Sequence, residues 1–86
     1  MSEPIVSYRV KLFAALKEHV DGEDWVFEGR SGLTGRALLN AFFDGYPELD
    51  GLRGVTRIAV NQVFCQGDAS LTPEDELALI PPVSGG

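Results

Sequence analysis

Glu76-Leu77-Ala78-Leu79-Ile80-Pro81-Pro82-Val83-Ser84-Gly85-Gly86 is the stretch on which the fold turns. Its first half, residues 76–80, reads as a short apolar strand. Its second half, residues 81–86, reads as an extended C-terminal tail, because Pro81-Pro82 continues neither helix nor sheet and holds an extended backbone. Gly85 and Gly86 have no Cβ, so this end threads a channel too narrow for other residues. The Gly86 carboxylate is unhindered and suited to attack a nucleotide phosphate, becoming an acyl adenylate. A frayed terminus without a role is the other reading of the same residues.

Working outward, residues 57–60 (Arg-Ile-Ala-Val) form another strand, and Asn61-Gln62 a tight turn into Val63-Phe64-Cys65. Thr72-Pro73-Glu74-Asp75 looks like a capped single turn, with Pro73 where a missing N–H costs nothing. Upstream, Leu38, Phe42, Tyr46 and Leu49 recur at helical spacing, and Leu39 and Phe43 widen the stripe. Thr34 is a fair N-cap, and Pro47 restricts Tyr46, so this long helix ends there, before Leu49. At the start of the chain, Val6, Tyr8, Val10 and Leu12 alternate with Ser7, Arg9 and Lys11, the pattern of a half-buried strand over 5–13. Ala14 to Val20 suits a short helical turn, Asp21-Gly22 a turn, and residues 24–28 a second strand.

The order is strand, strand, helix, strand, short strand, strand. This is an α+β pattern: a mixed sheet of about five strands packed on one main helix. With the first and last strands as central neighbours it is the β-grasp, or ubiquitin-like, arrangement. Eighty-six residues make a single domain over 1–86 with a small core.

Composition excludes several classes of function. Cys65 is the only cysteine, so there is no disulfide scaffold, and a lone thiol points to a reducing compartment. A structural role on a strand suits Cys65 better than catalysis, since the only histidine, His19, has no reason to lie near it. One Cys and one His do not make a zinc site, and four cysteines would be needed for an iron–sulfur cluster. Gly32-Leu33-Thr34-Gly35 lacks the Lys and Ser/Thr of a phosphate loop. The start of the chain has no signal-peptide pattern, and no stretch is long enough to cross a bilayer, so a cytoplasmic protein without membrane partners is expected. Net charge is −6, with thirteen acids against seven bases, which argues against nucleic acid. After Arg57 there is no Lys or Arg, whereas Asp68, Glu74, Asp75 and Glu76 follow. That acidic third suits attraction to a basic partner, and plain solubility explains it equally. Phe42, Phe43 and Tyr46 read as core; Trp25 and Phe27 fit either the core or an open sheet face.

The ending Pro-Pro-Val-Ser-Gly-Gly after residues 76–80 resembles that of the small, sulfur-carrier subunit of molybdopterin synthase. Phe13-Ala14-Ala15-Leu16-Lys17-Glu18, Tyr46-Pro47-Glu48-Leu49 and Val60-Asn61 are similar to the same family, so the resemblance spans the chain from Val6 onward. Lys17 stands where many relatives carry Arg, and Thr72-Pro73-Glu74 replaces a more usual Asp-Gly turn; the first departure bears on a partner contact. The resemblance implies a cycle. An ATP-dependent, E1-like activating enzyme adenylates the Gly86 carboxylate, and a desulfurase- or rhodanese-type sulfur donor converts it to a thiocarboxylate. The tail, Pro81, Pro82, Val83, Ser84 and Gly85, then threads into the large subunit, and sulfur passes to a cyclic pyranopterin phosphate. The chain would bind no cofactor of its own, ATP being used by the activating enzyme, and side-chain catalysis would belong to the large subunit. Phe13, Lys17 and Ile80 are the expected docking residues. A carrier for thiamine thiazole, cysteine or siderophore synthesis would share the tail chemistry, and a ubiquitin-like modifier would join Gly86 to lysines. Pro81-Pro82 favours the molybdopterin pathway.

Overall fold

The computed structural model describes residues 4–20 and 24–82. Its elements are β1 (Ile5–Leu12), α1 (Ala14–Glu18), β2 (Asp24–Arg30), α2 (Gly35–Gly45), a 3₁₀ helix (Pro47–Leu52), β3 (Arg57–Val60), β4 (Val63–Cys65) and β5 (Leu77–Ile80). The turn expected at Asp21-Gly22 lies outside the described residues.

The five strands form one sheet in the order β2-β1-β5-β3-β4. β5 lies parallel to β1, with Leu12 opposite Leu79, and antiparallel to β3, with Ile80 opposite Arg57. The first and last strands are thus the central neighbours, as in a β-grasp. Alternation decides which face each residue takes. Tyr8, Val10 and Leu12 of β1, Ile58 of β3, and Leu77 and Leu79 of β5 are buried on one face, where Leu38, Phe42 and Phe43 of α2 cover them.

Trp25 and Phe27 pair with Val10 and Tyr8 across β1 and β2, so they lie on this same helix face. The Trp25 ring meets Phe42 edge-on at 5.0 Å and stacks on Phe27 at 5.4 Å. Both aromatics therefore belong to the core side, and the open face takes their neighbour Val26.

α2 begins where expected: Thr34 is extended, and its Oγ1 accepts from the Ala37 N–H at 3.2 Å. It ends at Gly45, with the chain entering Pro47. Leu49 reaches the core through the 3₁₀ helix that follows, an element the helical spacing did not predict. The two-residue link from β3 to β4 has positive φ at both Asn61 (53°) and Gln62 (71°), the signature of a type I′ hairpin turn. At Thr72–Asp75 the expected turn forms, but the capping runs the other way. The Asp75 carboxylate accepts from the Thr72 N–H at 2.9 Å, and the Asp75 N–H donates to the Thr72 carbonyl at 3.1 Å.

Candidate functional site: the end of the central strand

β5 has two chemically different ends. At its start, Asn61 ties the acidic turn to the β3–β4 hairpin: its Nδ2 donates to Asp75 at 3.1 Å and its Oδ1 accepts from the Glu76 N–H at 2.9 Å. Hydrogen bonds from Thr72 and then Asn61 hold the Asp75 carboxyl below its ordinary value of 3.8. Glu76 also faces Lys11 at 3.7 Å. At the other end the chain leaves the sheet. The strand ends at Ile80; Pro81 is buried and Pro82 exposed, so the chain emerges from the domain at Pro82. Val83, Ser84, Gly85 and Gly86 lie outside the described residues.

The register places three expected or candidate groups around that exit. Leu12 pairs with Leu79, so Phe13 comes beside Ile80 on one flank, while Arg57 pairs with Ile80 on the other. The open face of the sheet here is a groove of about 300 Å³. Its floor is Ala59 and Ala78, adjacent in register, its walls are Phe13, Phe64 and Ile80, and Lys11, Gln62 and Glu76 line its polar margin. Phe13 is 45% exposed and Phe64 48%. Small residues beneath two accessible rings make a concave apolar surface of the kind that takes a partner's apolar side chain. Ala14, with φ of 52°, turns the backbone sharply after Phe13.

Phe13 and Ile80 are therefore brought together. Lys17 is not in their groove: it borders a separate cleft on the far side of Phe13, with Lys11 and Asp24. Phe64 was not anticipated as a surface residue. The signal was present in the alternation, since Phe64 pairs with Ala59 on the face opposite to Ile58 and Cys65. Cys65 is half-buried, and its thiol donates to the Val63 carbonyl at 3.3 Å. Among the described residues no group of three or more His, Cys, Asp or Glu side chains is placed to hold a metal ion. No helix among them is long and apolar enough to cross a membrane.

The acidic third does not surround the tail. Asp75 and Glu76 sit at the start of β5, whereas Arg57 stands at its end beside the exit. The charge asymmetry read along the chain is replaced by one read along the sheet, because β3 runs antiparallel to β5 and returns its arginine to the exit.

The family model described as the ThiS family matches residues 10–86. The molybdopterin synthase sulfur carrier subunit of Dictyostelium discoideum is 35% identical over 83 residues, which cover 92% of this chain and 95% of the relative. The subunit of the same name from Arabidopsis thaliana is 33% identical over 81 residues, covering 94% and 84%. Among solved structures, SAMP1, the small archaeal modifier protein 1 of Haloferax volcanii, superposes with a TM-score of 0.75 at 30% identity, covering 94% of this chain and 100% of its own.

Proposed function

The chain belongs to the ThiS family, and from that membership we propose that it is the sulfur carrier subunit of a cytoplasmic molybdopterin synthase, bearing sulfur as a thiocarboxylate on Gly86. The observation that carries the reading is similarity along nearly the whole chain to molybdopterin synthase sulfur carrier subunits of two organisms. The geometry supports it: the central strand leads directly to the tail, beside an apolar groove walled by Phe13, Phe64 and Ile80.

Each step assigns this chain one task. A carboxylate is a poor acyl donor, so the Gly86 carboxylate oxygen attacks the α-phosphorus of ATP in an E1-like activating enzyme and expels pyrophosphate. The terminal sulfur of a donor persulfide attacks the acyl carbon and expels AMP. A thiol then reduces the S–S bond, leaving the thiocarboxylate on Gly86. In the large subunit this sulfur attacks a side-chain carbon of the pyranopterin precursor and displaces an oxygen substituent from it. Water then cleaves the resulting thioester at the acyl carbon, which regenerates the carboxylate and leaves the sulfur on the pterin. Two sulfurs are needed for each dithiolene, so the carrier leaves, is recharged and returns. Residues 82–86 span at most about 17 Å when fully extended. Ordering each of them costs about 1–2 kcal/mol, so the tail alone gives no lasting affinity and the groove must hold the domain. Phe13 and Ile80 are assigned to that docking; Lys17 contributes from the neighbouring cleft.

The test is intact mass spectrometry after incubation with the cognate activating enzyme, ATP and a sulfur donor, followed by addition of the large subunit and precursor. Replacement of one oxygen by sulfur at Gly86 and formation of molybdopterin are expected. Unmodified mass with an enzyme shown to be competent would refute the reading. The likeness to SAMP1 favours a second reading, in which a lysine amine attacks the same activated Gly86 acyl group and forms an isopeptide. Gly-Gly-linked lysines on cellular proteins are its signature.

A further inference from the structure

Three of the chain's seven cationic side chains, Arg36, Arg53 and Arg57, line one cleft of about 330 Å³ between the start of α2, the segment before β3 and the end of β4. Arg53 is already neutralised: it donates to Asp50 at 2.7 Å, Asp44 at 3.0 Å and Asn40 at 2.9 Å. Arg36 and Arg57 have no carboxylate partner among the described residues. Both nevertheless lie against the protein. The Arg57 guanidinium lies 4.1 Å over the Phe64 ring. Arg36 lies so close to Gly67 that a Cβ there would come within 3.2 Å of its Nε. Two exposed guanidinium groups without a carboxylate partner among the described residues stand out in a chain of net charge −6.

The backbone narrows what they recognise. The first amides of α2 do not offer an anion cradle: the Gly35 N–H donates to Ala69, Arg36 to Gly67 and Ala37 to Thr34. The Thr56 hydroxyl donates to the Leu52 carbonyl. Recognition is left to the two guanidinium forks on an open surface, which match the planar carboxylates of Asp and Glu. Phe64 joins the two features, since it walls both the apolar groove and this cleft, and Arg57 neighbours Ile80 in register.

We propose that the Arg36–Arg57 cleft is a second docking surface, taking an acidic segment of the large subunit as that subunit seats on the apolar groove. The inference rests on the carrier reading and adds the chemistry of the partner's flank. Acidic side chains of the partner reach the cleft while its apolar side chain fills the groove between Phe13 and Phe64. The contact is a polar rim, so it acts chiefly on the rate of encounter.

The experiment measures binding of the full chain to its cognate molybdopterin synthase large subunit by surface plasmon resonance over a range of salt. Arg36→Glu and Arg57→Glu are each expected to weaken binding about tenfold at low salt, mainly through association rate, with the difference shrinking as salt rises. Ser7→Glu together with Ser31→Glu, two exposed positions away from the cleft, lowers net charge by the same amount as one reversal and should change affinity less than about twofold. Arg36→Glu touches no ring, so it separates charge from packing against Phe64. Thermal unfolding checks that each variant is folded. Reversals that bind like the wild type while Phe13→Ala binds weakly overturn the cleft and leave groove docking intact. Reversals and Phe13→Ala all binding like the wild type overturn both. Competition by inorganic phosphate stronger than by chloride at equal ionic strength would make the cleft a small-anion site and overturn the proposal.

Discussion

Removing one oxygen atom, in Tyr8→Phe, tests whether the sheet is fastened to the loop before α2 by a single side chain. Tyr8 is fully buried in the middle of β1. Its hydroxyl donates to the Arg30 carbonyl at 2.7 Å and accepts from the Leu33 N–H at 3.2 Å. The two losses are unequal. Arg30 is exposed, so water replaces the hydroxyl at its carbonyl. Leu33 is 7% exposed, and its N–H is left buried without an acceptor. A lost hydrogen bond costs about 1 kcal/mol and an orphaned buried donor about 1–3, which together place the variant about 2–4 kcal/mol below the wild type. For a domain of this size that lowers the melting temperature by about 10–30 °C. Urea unfolding should show the loss with an unchanged m-value, because the surface exposed on unfolding is the same. Sulfur loading at a temperature where both proteins are folded should be unaltered, since the hydroxyl is on the helix side of the sheet and the groove on the other. A destabilisation below about 0.5 kcal/mol would refute the reasoning, as it would mean that the Leu33 N–H finds another acceptor.

Three further outcomes are expected. Deleting Gly85 and Gly86 should abolish sulfur loading measured by intact mass, yet shift the melting temperature little, because the buried core is built from residues up to Pro81; Cys65→Ser should load normally, and its failure to do so while folded would transfer the carrier role to that thiol. Gln62→Gly should raise stability by about 0.5–1 kcal/mol in urea unfolding, since Gln62 sits at φ of 71° and Asn-Gly is the preferred type I′ pair. The folded-state pKa of Asp75 is depressed, so its contribution is present above its ordinary value of 3.8 and lost as pH falls through the folded value. Wild-type stability should therefore decline more steeply in acid below about pH 4 than that of Asp75→Asn, followed by thermal unfolding at each pH.

Where local pattern and tertiary demand agree, the chain was readable. β1 announces itself by alternation, α2 by its stripe, Thr34 and Pro47, and the hairpin by Asn61-Gln62. The failures share a cause: the deciding partner is distant in sequence. β2 runs on through Gly29 and Arg30 because Val6 and Ile5 pair with them, although Gly29 itself does not favour a strand. Leu33 and Leu71 look like loop residues, yet the Leu71 N–H donates to the Leu33 carbonyl at 2.8 Å and both side chains are buried. The same holds at the site. The adjacency of Phe13 and Ile80 was legible, one from the family pattern and the other as the strand end next to it. The basic cleft was not, because residues 36, 53 and 57 become neighbours only after α2 and the 3₁₀ helix turn the chain back upon β3.

The division of labour along β5 explains why so small a domain suits this chemistry. A reactive terminus that must enter other proteins needs slack, whereas docking needs a fixed surface. β5 is hydrogen-bonded on both sides, to β1 and β3, so the point where the chain leaves the sheet is among the best-anchored in the fold. Burial of Pro81 extends that anchoring one residue past the strand. Covalent geometry then bounds the reach of Gly86 at about 17 Å from that fixed point. Any partner that uses Gly86 must therefore present its catalytic centre within that distance of a surface complementary to the groove. On the proposed reading, an activating enzyme and the large subunit would both have to reach Gly86 from the same exit, so they would bind in turn. Alternation between them would then follow from geometry, and it is what a carrier that leaves to be recharged would require.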